Sequence, residues 1–201
     1  MDGRTARACA AERPLPEYFQ TRAACEARVR ELVAGCAGRV LVGIDVAIGY
    51  PRGERASGLP TGRELCALIA SLVRDDARNG NTRREAAAEL NAQVMTRTGA
   101  EHGPFWGWMG KGLDDRVPLR RPTGFVYAEF REVDLVARTL RPGTRPQSPW
   151  KLGGAGSVGS QSLLAMGMVH RLLTVEPIAA RARLWPFEME SAEGLNAEAV
   201  V

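Results

Sequence analysis

The stretch Arg39-Val40-Leu41-Val42-Gly43-Ile44-Asp45-Val46-Ala47-Ile48-Gly49-Tyr50-Pro51 decides how the rest of the chain is read. Residues 40–44 form a continuous apolar run, not an alternating one. Such a run predicts a strand covered on both faces, the usual state of a strand inside an α/β sheet. The run ends in one carboxylate, Asp45, and Gly49 and Pro51 then turn the chain. An acid at the carboxyl end of a buried strand stands where open α/β sheets place their ligands. Acidic turn residues also accept backbone amide hydrogen bonds, and that plainer role stays open for Asp45.

At 201 residues the chain suits one well-buried domain and is short for two. Residues 1–20 contain Pro14 and Pro16 and lack periodicity, so they read as a poorly ordered lead-in to a single α/β domain over 21–201. No apolar run approaches the roughly 20 residues of a membrane span. The opening Met1-Asp2-Gly3-Arg4 lacks the apolar segment of a secretory signal. Cys9, Cys25, Cys36 and Cys66 show no Cys-x-x-Cys spacing, so neither a zinc site nor a disulfide framework is indicated, and the cytoplasm is the expected compartment. The net charge of +4 rests almost wholly on arginine, Lys111 and Lys151 being the lysines. That balance suits phosphate-bearing partners, although a general arginine and alanine bias accounts for it equally.

From Thr21 onward Cys25, Val29, Leu32 and Cys36 fall on one face of a helix that Gly35 or Gly38 ends. Thr61-Gly62-Arg63-Glu64 and Thr82-Arg83-Arg84-Glu85 each match a capping box that opens a helix. The second helix runs to about Thr98, and Arg83, Arg84 and Asn91 share one side of it, either a solvated face or part of a cleft. Gly103-Pro104-Phe105-Trp106-Gly107-Trp108 is an aromatic loop whose rings cover a core, line a pocket or stack on a base. Residues 125–127 read as a short strand. Residues 130–140 read as a helix with Val133, Val136, Ala137 and Leu140 inward. Residues 182–188 predict the last clear strand, which Pro186 removes from the ladder or places at an edge. Residues 197–201 resemble the start of a further strand.

Two groups of residues carry candidate chemistry. Gly154-Ala155-Gly156-Ser157-Val158-Gly159 fits G-x-G-x-x-G, but a proline-rich loop precedes it where a dinucleotide fold needs a strand. Free amides at a helix start still make an anion site, and Lys151, Ser157, Gly159, Ser160 and Gln161 surround this one. The alternative is that small residues let the helix pack closely. The second group is Asp45, Glu188 and Glu132. Carboxylates converging at a sheet edge hold Mg²⁺ or Mn²⁺, and two such ions about 4 Å apart support water attack on a phosphodiester. Hydrogen bonding without metal is the competing role for these acids.

Several of these motifs recur in one order: residues 42–51, Asn91, Gly103-Pro104-Phe105-Trp106-Gly107, Arg131-Glu132, Trp150-Lys151-Leu152, Gly156-Ser157-Val158-Gly159-Ser160-Gln161 and Trp185-Pro186-Phe187-Glu188. In this the chain resembles, over about residues 39–190, a bacterial family labelled molybdopterin guanine dinucleotide synthesis or cobalamin-biosynthesis-associated proteins. That family is similar to predicted nucleases of ribonuclease-H-like fold. The resemblance implies a ribonuclease-H-like layered α/β fold, a central sheet flanked by helices, with Asp45 and Glu188 as metal-binding acids. Glu132, Lys151, Ser160 and Gln161 match further motif positions. Family members usually carry an amino-terminal strand ending in Asp-Trp-Ser and a later strand with Glu-x-Tyr-Pro. Neither is found here, so the fold is expected to be incomplete, with an exposed sheet edge that a second copy or a partner protein covers.

The expected activity is metal-dependent hydrolysis of a phosphodiester or nucleotide. Asp45, Glu188 and Glu132 would be catalytic, Asp45 and Glu188 would hold metal, and Asn91 and Trp106 would border the cleft. The alternative is a non-catalytic module that binds a nucleotide, a pterin cofactor intermediate or a protein, with nucleic acid a further partner. A nucleotidyltransferase is disfavoured, because the glycine- and lysine-rich amino-terminal loop it would need is lacking.

Overall fold

The computed structural model describes residues 15–110, 116–141, 143, 145–189 and 199–200. Residues 1–14 of the expected lead-in lie outside these, and residues 15–20 carry no helix or strand. In chain order the described residues form α1 (Arg22–Gly35), β1 (Val40–Leu41), α2 (Gly62–Leu72), α3 (Arg83–Thr98), α4 (Glu132–Leu140), α5 (Gly159–Thr174), β2 (Ala182–Arg183) and β3 (Ala199–Val200). The strands pair in parallel in the order β1-β3-β2, two residues deep.

This corrects the expected ribonuclease-H-like α/β architecture. The fold is mostly helical, and among the described residues a ladder of two-residue strands replaces the central sheet. The run after Val40 shows why. Its exposure alternates: Val40, Val42 and Ile44 are partly covered, whereas Leu41, Gly43 and Asp45 face outward, Leu41 at 73 %. Only Val40 and Leu41 pair in the ladder; beyond them the run joins no strand among the described residues and only one of its sides is covered. Residues 125–127 form no strand. Residues 182–188 leave the ladder after Arg183 and turn through 185–188, where Pro186 has no N–H to donate. The tail contributes Ala199–Val200 as the middle strand.

The core is built instead from helices. α2 lies along α5, and α3 touches both. Leu65, Cys66 and Ile69 of α2 meet Leu163, Met166, Val169 and Leu173 of α5, all buried. On α3 the buried face is mostly Ala86, Ala87, Ala88 and Leu90, small side chains that let the helices approach closely. Three aromatic residues from distant segments complete it. Tyr50 stacks on Trp150 with centroids 4.2 Å apart, and Phe105 stands edge-on to both at 5.4 and 5.2 Å. Offset and edge-to-face pairs of this kind add about 1 kcal/mol each beyond burial.

Helix starts depart from their signatures. Thr21 caps α1, accepting from the Ala24 amide at 3.2 Å. Neither predicted capping box forms. Thr61 makes no cap bond, and Thr82 turns its hydroxyl to the end of α2, donating to Leu72 O and accepting from Arg74 N. At α4 the Asp134 carboxylate accepts from the Arg131 amide and guanidinium. The predicted inward face of α4 is also corrected: no residue of this helix is buried, and Leu140 is 80 % exposed.

Candidate anion-binding end of helix α5

The glycine-rich segment 153–159 leads into α5 through close backbone approaches. A Cβ on Gly159 would lie 2.6 Å from Pro149 O and 2.7 Å from Lys151 O, and one on Gly153 would lie 2.5 Å from Gly107 O. Segment 150–152 runs beside the aromatic loop, with Trp106 N donating to Trp150 O at 3.2 Å and Leu152 N to Trp106 O at 2.8 Å. These glycines therefore serve packing first.

What the packing leaves open is the first turn of α5. Val158, at the cap position, has no side-chain acceptor to offer. Gly159 N donates to Lys151 O, but the Ser160 and Gln161 amides have no backbone acceptor among the described residues. Such amides carry the positive end of the helix dipole. Lys151 folds back, its ammonium donating to Ala155 O at 2.9 Å. The Ser157 amide is committed to Gly154 O, and Gln161 is exposed.

The start of α3 delivers cations to this point. Arg83 Nε donates to Ser160 Oγ at 3.3 Å and Nη1 to Asn81 Oδ1 at 2.6 Å, while Ser160 Oγ donates to Leu152 O at 2.7 Å. Both Arg83 acceptors are neutral, so no acid among them offsets its charge. The Arg83 and Arg84 guanidinium carbons stand 5.4 and 5.9 Å from the centroid of the Trp108 ring, within cation–π range. The indole N–H groups of Trp106 and Trp108 are shut off from solvent with no acceptor among the described residues. Each such donor costs about 1–3 kcal/mol.

The other expected site residues fall elsewhere. Asn91 is fully buried: Phe105 N donates to its Oδ1 at 2.8 Å, and its Nδ2 donates to Phe105 O and Arg116 O. It clamps the aromatic loop from within the core. Trp106 is partly buried against the core. Glu188 binds Arg63 Nε through one oxygen and accepts the Leu184 amide with the other at 2.6 Å. Arg63 also donates to Leu173 O and Ala182 O, so this pair braces α2 to α5 and β2. Asp45 is exposed and makes no hydrogen bond or ion pair among the described residues; Glu132 opens α4, also exposed.

Among the described residues no three His, Cys, Asp or Glu side chains form a metal-holding group. A Mg²⁺ or Mn²⁺ ion needs several oxygen ligands. Among the described residues it finds Asp45 open and Glu188 already held by a guanidinium, and these two alone do not make such a set. The spacing of 83, 84 and 160 carried no signal that α3 and α5 begin side by side. The cue was the aromatic loop between them.

No helix among the described residues is long and apolar enough to cross a membrane. No family model, curated protein or solved structure matches the chain.

Proposed function

We propose that the protein is a binding module for a phosphate-bearing ligand, a nucleotide or a short nucleic-acid strand, held at the amino end of α5. The observation that carries this reading is Arg83. Its guanidinium is fixed between the Trp108 ring and Ser160 Oγ at an uncapped helix start, and no acid among its bonding partners neutralises it. A phosphate there receives the Ser160 and Gln161 amides and the Arg83 charge, donors that a helix start and a guanidinium supply together. Hydrolysis is not part of the reading, because Glu188 is engaged by Arg63 and Leu184.

Tryptophan fluorescence titration with a nucleoside 5′-monophosphate and with a ten-nucleotide single strand tests it. Saturable binding that weakens with salt is expected, reduced about tenfold in Arg83→Ala, the loss of one charge-assisted contact. A flat titration, or affinity unchanged by Arg83→Ala, removes the proposal. Turnover of the nucleotide on adding Mg²⁺, abolished in Asp45→Asn, would overturn the non-catalytic part.

A further inference from the structure

Residues 121–129 form a loop whose ends meet. Arg121 Nη1 donates to Glu129 Oε2 at 2.5 Å, and the Arg121 guanidinium stands 6.0 Å from the Phe125 ring centroid. Loop 53–58 lies against it. Ala128 N donates to Arg55 O at 2.8 Å, and the Arg55 guanidinium donates to Val126 O at 2.7 Å and Phe125 O at 3.1 Å. Between the loops is a cleft of about 410 Å³ lined by Arg55, Arg121, Phe125, Tyr127 and Glu129. That volume lies within the range of small-molecule sites. It shares no residue with the α5 end.

Charge and shape together indicate what the cleft takes. The two carbonyls orient the Arg55 guanidinium without neutralising it, and no carboxylate pairs with it among the described residues. Arg121 is offset by Glu129. Two guanidiniums against one carboxylate leave one positive charge on the lining. A guanidinium held in place by its own hydrogen bonds loses little entropy on taking an oxyanion. Phe125 and Tyr127, centroids 5.5 Å apart and steeply inclined, supply an apolar wall beside it.

We propose that this cleft binds a small organic anion, a single negative charge next to a planar apolar group. The charge rests on Arg55 and Arg121, and the ring lies against Phe125. A carboxylate and a phosphodiester share this chemistry.

Calorimetric titration of the full chain with benzoate and with methyl phenyl phosphate tests the proposal and distinguishes the two headgroups; acetate serves as the ringless control. At least one aromatic anion should bind saturably, with acetate about tenfold weaker. Arg121→Gln leaves Glu129 facing Arg55 and should weaken binding about tenfold. Glu129→Gln should strengthen it about threefold. Arg83→Ala should leave it unchanged, which separates this cleft from the α5 end. Both cleft variants keep Arg55 and its carbonyl bonds, and a thermal melt confirms that they fold. Absence of saturable heat with either aromatic anion at millimolar concentration overturns the proposal. So does a shift of affinity in the same direction by Arg121→Gln and Glu129→Gln.

Discussion

At residue 91 one amide side chain settles the course of a whole loop. Asn91 exchanges both backbone bonds of Phe105 inside the core and also reaches Arg116 O nearer the surface. Gly103 is its counterpart, since a Cβ there would come within 2.4 Å of the Asn91 side chain. Asn91→Ala should therefore destabilise the fold by about 3 kcal/mol, because it strands the Phe105 amide and carbonyl in a buried place. Urea denaturation measures this, and a change below about 1 kcal/mol would mean that water replaces the amide. Sequence spacing put Asn91 on a polar face with Arg83 and Arg84. The buried side of α3 is largely alanine, and alanine marks a helix face too weakly to show which side turns inward.

Among the elements, α1 is joined to the rest as much by charge as by apolar contact. Glu26, 7 % exposed, accepts from Arg171 and Arg30. Arg22 binds Asp75, and Arg181 donates to Val33 O and Cys36 O. The Arg171 guanidinium has its pKa raised, first by its hydrogen bonds to Glu26 and against the opposing effect of burial. Glu26→Gln should cost about 2 kcal/mol, less than a fully buried pair because Arg171 is partly solvated. Amide hydrogen exchange should speed up across residues 22–35 more than in α2 or α5. Equal acceleration in all three would show that α1 does not detach separately. α4 is the contrasting case, since its apolar spacing predicted an inward face and the described fold supplies nothing to cover it. Periodicity reports that a face is apolar, not that a partner exists.

For the molecule as a whole, the buried aromatic and thiol groups set a limit on the alkaline side. Burial pushes the Cys66 thiol up to about 11, with Arg63 opposing and Glu188 adding to the shift, and burial raises the Tyr50 phenol as well. An unfolded chain releases these protons first, so the folded state holds more protons between about pH 9 and 11, and stability falls as pH rises through that window. Melting temperature followed across it should decline. Cys66 should resist a thiol reagent at pH 8 while the partly exposed Cys25 and Cys36 react. A flat profile, or Cys66 labelling as fast as the other two, would contradict this burial.

The sequence by itself determined the helices α1 to α5 and the aromatic and glycine-rich loops. A helix closes its hydrogen bonds within four residues, so local spacing carries the information. Only the tertiary structure decided that the run after Val40 would have one covered face, that Glu188 would answer Arg63, and that Arg83 would meet Ser160. Each of these rests on segments far apart along the chain, whose partners no local pattern names, and the net balance of burial and hydrogen bonding chooses among them only once the chain is packed.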